Sequence, residues 1–250
     1  MGFVELEKGD EKMYYLWTII CLAGFIAIHL SSKYMTFFNF VPRSKLLSAA
    51  GGISVAYVFV HILPELNHHQ QHFAMSHEET ILSGYHVYVM ALVGLAVFYG
   101  LERMVKLAEV SGKDEAGVRA FWIHMLSFFL YNSLIAYLLI RGEGKDLVQI
   151  FLFFVAMAVH FITNDHALRE NHKNIYDHYG RWVLAGGILI GGLIGEFVDI
   201  NELAIALLFS FLAGSVLLNV MKEELPEERQ SSFLAFSLGG GIYTILLLFI

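Results

Sequence analysis

Charged residues, cysteine and proline are all scarce in this sequence. Only 16% of its 250 residues are Asp, Glu, Lys or Arg, and it has 3 prolines; about a quarter charged is usual for a soluble globular chain. The single cysteine, Cys21, excludes an intramolecular disulfide, and the net charge of -7 provides no basic surface for nucleic acid. These absences exclude a disulfide-rich secreted protein and a nucleic-acid-binding protein, and they leave too little polar surface for a soluble chain.

Hydrophobic residues, by contrast, make up 57% of the chain, and its mean hydropathy is +0.60. A helix rising about 1.5 Å per residue needs about 20 apolar residues to cross a hydrocarbon core of about 30 Å. Eight segments fit this requirement, so we predict one all-α polytopic membrane domain over residues 1–250, in contact with the lipid bilayer. The predicted spans, numbered one to eight, cover residues 14–30, 46–64, 85–101, 121–140, 148–163, 182–198, 203–221 and 233–250.

The distribution of Lys and Arg predicts the orientation of these spans. If the N-terminus lies outside, twelve basic residues fall in inner segments and four in outer ones. Because basic residues are enriched in cytoplasmic loops, we expect an integral protein of a cytoplasmic (inner) or plasma membrane with both termini outside the cytoplasm. The chain begins with acidic residues instead of the basic stretch of a signal peptide, so span one is expected to be a permanent helix.

Two segments of the sequence resemble each other. HILPEL at 61–66 aligns with EELPEE at 223–228, and the same offset places Gly52 on Gly214. The two matched segments lie at the C-terminal ends of spans two and seven, and these spans run in opposite directions in the predicted topology. The alignment therefore predicts an inverted repeat of three, two and three spans, an arrangement typical of secondary transporters.

The segment after span two, residues 65–84, contains no Lys or Arg but is rich in histidine. Its histidines are His68, His69, His72 and His77. An outward cluster of this kind can collect metal ions. The alternative interpretation is a polar, solvated loop, because histidine spacing in loops is weakly specific.

Span six carries Gly187, Gly191 and Gly195 at intervals of four residues. Small residues at this spacing allow close approach of another helix in lipid. We interpret the row as a packing surface, and if it faces lipid a homodimer is possible.

The polar residues inside spans four and five are the candidate site. Span five ends with His160, Asn164 and Asp165, of which the first two share a helix face. Ionisable groups inside a membrane mark functional sites by default, and imidazole, carboxamide and carboxylate ligands suit a loosely held divalent cation. Alternatively, His160 makes only an interhelical hydrogen bond. Span four contributes Ser127, Tyr131 and Asn132, with Tyr131 expected near the depth of His160.

Several of these segments resemble the ZIP family of divalent-metal transporters. The resemblance is carried by GGISVAYVFVHILPEL (51–66), ALVGLAVFYGLERMV (91–105) and LAGSVLLNVMKEELPEE (212–228), followed by a glycine-rich last span. It implies eight helices, outward termini and a metal path along helices four and five, through which Zn²⁺, Fe²⁺ or Mn²⁺ enters the cytoplasm.

The site departs from the pattern of that family, in which helix five resembles His-x-x-Pro-Glu-Gly. Here His160 is kept, while Asn164 stands for the glutamate and Asp165 for the glycine. On helix four, Ser127 falls where the histidine belongs and Tyr131 where a carboxylate belongs; a shift by one residue puts Asn132 there instead. The two-metal site of the family cannot be rebuilt from these residues.

Three functions remain open at this point. The first is a ZIP-like transporter with a degenerate site, for which no catalytic residue and no resident cofactor are expected; the metal, most simply Zn²⁺, is transported or bound. The second is a non-transporting membrane protein on the same fold, acting as a metal sensor or interaction partner. The third, an intramembrane zinc hydrolase, lacks an evident third ligand.

Overall fold

The computed structural model of the chain describes residues 8–34, 43–76, 85–110, 114–141, 147–221 and 232–249. Within these ranges the chain is helical and contains no strand. Helices α2 and α3 together correspond to span two, and every other helix corresponds to one further span. The helices are α1 (Lys8–Ser31), α2 (Arg43–Tyr57), α3 (Leu63–Ser76), α4 (His86–Val110), α5 (Asp114–Arg141), α6 (Leu147–Ile175), α7 (Arg181–Phe197), α8 (Glu202–Asn219) and α9 (Phe233–Leu248).

The lengths and surfaces of these helices suit a membrane. In the described residues, seven helical segments are long and apolar enough to cross one, and Phe233–Leu248 is a shorter apolar helix. Large apolar side chains such as Leu92, Leu130 and Leu193 are exposed on the surface, as expected where lipid replaces water. The prediction of an all-α polytopic membrane protein is confirmed.

The second span runs further than predicted. A π-helical turn, Val58–Ile62, leads directly into α3, which contains Pro64 and extends to Ser76. In a regular α-helix, a proline removes one backbone N–H donor, and its ring clashes with the carbonyl four residues earlier. For Pro64 this is the carbonyl of Val60, which lies in the wider π-helical turn. The π-helical turn therefore accommodates Pro64 within the helix. The prediction that span two ends at Pro64 is wrong.

This extension also changes the setting of the histidines after span two. His68 and His69 lie on α3, so the prediction of a loop beginning at residue 65 is wrong. His72 belongs to the helical backbone of α3, whereas His77 lies outside the described residues.

The inverted repeat is visible in two close helix crossings. Gly52 of α2 lies against the backbone of α9 at Phe236 and Gly240, and Gly214 of α8 lies against the backbone of α4 at Ala91. A methyl group at either glycine would meet a backbone carbonyl, so only glycine allows this approach. The repeat relates span two to span seven and span three to span eight. It therefore relates the α2–α9 crossing, between spans two and eight, to the α4–α8 crossing, between spans three and seven.

A helix irregularity repeats at equivalent positions as well. The π-helical turn of span two begins at Val58, and α8 passes into a π-helical turn at Val220. The offset between these valines is the one that aligns Gly52 with Gly214. The matched crossings and matched turns agree with the predicted inverted repeat, in which α5 and α6 form the central pair.

The connection from α6 to α7 is helical as far as it is described. Helix α6 ends at Ile175, twelve residues beyond predicted span 148–163, and the π-helical turn Tyr176–Gly180 follows. In one straight helix, Asp165 and Leu184 would be roughly 28 Å apart. Both instead lie within one hydrogen-bonded cluster, described below, so the chain bends back between them.

The glycine row of α7 faces another helix of the same chain. Gly191 lies against the backbone of Ser133, and Gly187 and Gly195 also contact α5. The interpretation of the row as a packing surface is confirmed. The premise that it faces lipid is wrong, because α5 covers it, and a homodimer remains a prediction without this support.

Candidate intramembrane cation site

A buried histidine and a buried aspartate form the centre of the candidate site. Nδ1 of His29, near the end of α1, lies 3.0 Å from both carboxylate oxygens of Asp165 on α6. Neither side chain has exposed surface. A carboxylate inside a membrane is unfavourable by a few kcal/mol unless it has a partner, and the imidazole of His29 supplies one.

Asn132 of α5 lies on the other side of the His29 ring. Its Nδ2 is 3.0 Å from Nε2 of His29 and 3.3 Å from the carbonyl oxygen of Leu184 on α7. Because a carbonyl can only accept, Nδ2 must face Leu184; Nε2 of His29 is then the acceptor, and its Nδ1 donates to Asp165. The cluster thus joins helices α1, α5, α6 and α7.

The amide oxygen of Asn132, Oδ1, distinguishes this cluster from ordinary hydrogen bonding between helices. Its Oδ1 is buried and receives no hydrogen bond from the described part of the chain. Buried polar atoms in folded proteins nearly always have a partner. An unpaired amide oxygen next to the buried His29–Asp165 pair would accept a cation or a small donor.

Tyr131 and His160 form a separate pair in the middle of the same helices. Oη of Tyr131 lies 3.1 Å from Nε2 of His160, and both side chains are buried. The prediction that Tyr131 lies near His160 is confirmed. His160 and Asp165 differ by about 7.5 Å in height along α6, so the two pairs are successive polar positions along the helix.

The other predicted site residues, Asn164 and Ser127, lie on α6 and α5 close to these pairs in sequence. Asn164 is buried on α6. Thr163, beside it, donates to backbone carbonyls of its own helix at 3.1 and 2.9 Å. Ser127 likewise donates to the carbonyl of Ile123 at 2.8 Å. These hydroxyl hydrogens satisfy the helix backbone, so Thr163 and Ser127 contribute at most an oxygen lone pair to a ligand.

A third pair joins the C-terminal half of α4 to the N-terminal half of α5. Nε2 of His124 lies 2.8 Å from Oε1 of Glu102, and both side chains are largely buried. Aromatic contacts connect this pair to the previous one, because the ring of Phe128 packs against both His124 and Tyr131. In the sequence, Glu102 directly follows the predicted span 85–101.

The arrangement is not a high-affinity metal centre. Among the residues that the structure describes, no three His, Cys, Asp or Glu side chains are close enough together to hold a metal ion. Instead, one carboxylate and two imidazoles are distributed over two positions, where they contact the neutral side chains of Asn132 and Tyr131. Few charged ligands give weak binding, which suits an ion that is released again.

His29 is the residue that the sequence analysis missed. It lies within span one on the buried face of α1, at helical spacing from Leu22 and Phe25. An ionisable residue inside a predicted span is itself a functional signal. That rule, applied to span one as it was to span five, would have identified His29 without any knowledge of its partner.

Fold and site together define a polytopic helical membrane protein whose interior contains a series of buried polar side-chain pairs. No known protein family matches the chain, and no curated protein matches it either.

Proposed function

We propose that this protein is a ZIP-like transporter that moves a divalent cation across the membrane towards the cytoplasm, with both termini outside. The observation that carries the proposal is the unsatisfied oxygen of Asn132 beside the fully buried His29–Asp165 pair. The inverted repeat supports it, because transporters with this symmetry bind their substrates between the repeats, near the membrane midplane.

Two of the three polar pairs have a role in the proposed path. Asp165 supplies the negative charge that compensates the ion, and Oδ1 of Asn132 supplies an oxygen ligand. His29, whose two ring nitrogens are hydrogen-bonded to these side chains, holds both in place. His160 and Tyr131, with Asn164 and Ser127 nearby, form the next position along the helices. Nitrogen and oxygen ligands together favour Zn²⁺ over Mg²⁺ or Ca²⁺, while Fe²⁺ and Mn²⁺ remain candidates. The ion is cargo, and no bond is made or broken.

The test is uptake of Zn²⁺, Fe²⁺ and Mn²⁺ into proteoliposomes containing the purified protein. Asp165→Asn and His160→Gln remove ligands with little change in shape, and each has a matched control: Asp199→Asn is exposed and paired with Arg141 at 3.5 Å, and His178→Gln is exposed. We expect saturable uptake that falls about tenfold or more in the site variants and is unchanged in the controls. Folded protein without flux of any metal would contradict transport.

One observation favours a second candidate. Within the described residues no three ionisable ligands converge, which also suits a metal sensor or an interaction partner on this fold. Such a protein would bind metal without flux and form a stable complex that survives extraction from the membrane.

A further inference from the structure

The extension of span two beyond Pro64 places histidines and a glutamate on a regular helix at the membrane surface. The helical segment Lys45–Gln71 contains 27 residues. Counting about 20 residues from Lys45 reaches the far boundary of a hydrocarbon core of about 30 Å at Glu65. The residues of α3 from Glu65 to Ser76 therefore lie at the interface or in water, where ions are accessible.

Glu65 and His69 are four residues apart on α3 and lie on the same helix face. Oε1 of Glu65 is 3.8 Å from Nε2 of His69, and the side chains are 40% and 25% exposed. This separation is longer than a hydrogen bond. Two ligands of a tetrahedral Zn²⁺, each at about 2.0–2.2 Å, are about 3.4 Å apart. A shift of a few tenths of an ångström would place one ion between these two atoms.

The helix that carries this pair is fixed to its neighbours. Oε1 of Gln70 accepts from the backbone N–H of Val87 at 3.1 Å, and Oδ1 of Asn67 accepts from the hydroxyl of Tyr88 at 3.0 Å. The ring of His69 packs against Phe209 of α8, with centroids 5.1 Å apart. Binding would therefore order few additional groups, which favours affinity.

We propose that Glu65 and His69 form a two-ligand surface site for a divalent cation of the Zn²⁺ type, with water completing the coordination. The site commits to these two residues. His61, one turn deeper, has its ring stacked on Tyr57. His68, three residues after Glu65, has its ring against that of His69, with centroids 6.2 Å apart, so the test must separate these two imidazoles. The site goes beyond the proposed function and does not require transport, because capture at the surface needs only binding.

The test is calorimetric titration of the purified full-length protein in detergent with Zn²⁺, carried out in the Asp165→Asn, His160→Gln background so that the two proposed positions on α6 do not contribute. We expect Glu65→Gln and His69→Gln each to weaken the remaining binding about tenfold or more. His178→Gln, which leaves the Glu65–His69 pair and its neighbours intact, should have no effect. A folded state unchanged in the variants is checked by circular dichroism.

Two outcomes would overturn the proposal. One is a Zn²⁺ isotherm identical in the Glu65→Gln and His69→Gln variants and their parent. The other is loss of binding in His68→Gln with retention in His69→Gln, which would assign the ion to His68 instead of His69. Because the readout is binding, absence of flux in proteoliposomes would contradict the transport proposal and leave this one unaffected.

Discussion

The imidazole of His29 and the carboxylate of Asp165 come from positions 136 residues apart in the chain, yet Nδ1 of the first lies 3.0 Å from both oxygens of the second. Neither group touches solvent. The pair fixes the end of α1 to α6 inside the membrane, and each partner depends on the other to remain there.

This dependence predicts a strong coupling between the two positions. His29→Leu leaves the carboxylate of Asp165 buried without its partner, and loss of one partner of a buried pair costs about 3–5 kcal/mol. The double variant His29→Leu, Asp165→Leu removes both groups, so we expect it to lose less stability than the sum of the single variants. A double-mutant cycle of unfolding free energies in detergent micelles measures the difference; additive single effects would show that the pair contributes no coupling.

The glycine row of α7 offers a comparison within one helix. A methyl group at Gly191 would meet the backbone of Ser133, whereas one at Gly186 would meet nothing within 4 Å. We expect Gly191→Ala to destabilise the protein by about 1–3 kcal/mol, because neither backbone can move aside. Gly186→Ala, the matched control, should be neutral or slightly stabilising, since alanine favours helix. Thermal unfolding of the two variants side by side tests this, and equal midpoints would contradict the observed α5–α7 packing.

The repeat predicts a pair of equal effects. Gly52→Ala introduces a methyl group against the α9 backbone, and Gly214→Ala introduces one against the α4 backbone. Since the crossings are equivalent, we expect similar losses of stability, again about 1–3 kcal/mol each. Gly100→Ala, where a methyl group would meet nothing within 4 Å, is the control. A large loss in only one of the two variants would argue against equivalent crossings.

Features that depend on local pattern could be predicted from the sequence. Apolar segments of the right length identified the spans, and the shared offset of Gly52 and Gly214 identified the repeat, because both are properties of the neighbouring residues. Tyr131 was placed near His160 because the predicted antiparallel directions of spans four and five bring these two positions to a similar depth. These predictions needed only helix geometry and the position of the lipid boundary.

The remaining features depend on tertiary packing. No spacing in the sequence links His29 to Asp165, since the pair exists only because α1 packs against α6. The end of span two at Pro64 was predicted incorrectly because proline stops a regular α-helix, and no local signal announced the π-helical turn that accommodates it. The glycine row was expected to allow close packing, but only the fold shows that its partner is α5.

The orphaned oxygen of Asn132 leads to a prediction of gained function. Asn132→Asp would place a second carboxylate beside His29 and Asp165, close to the position where the ZIP pattern has a carboxylate on helix four. Two buried carboxylates repel each other, so we expect a lower unfolding temperature without metal. A bound divalent cation would offset this repulsion, and added Zn²⁺ should then raise the unfolding temperature more than in the unaltered protein, because a ligand that binds only the folded state stabilises it.

The same measurement on Asn132→Leu provides the contrast. This variant keeps the volume but removes both the amide nitrogen that contacts His29 and the oxygen available to an ion, so Zn²⁺ should raise its unfolding temperature less than in the unaltered protein. If Zn²⁺ shifts all three proteins equally, the metal binds elsewhere, and the position of Asn132 has no part in holding it. If Asn132→Asp alone responds more strongly, the cluster of His29, position 132 and Asp165 binds the cation in that variant, and the single carboxylate of the unaltered cluster limits how tightly an ion is held there.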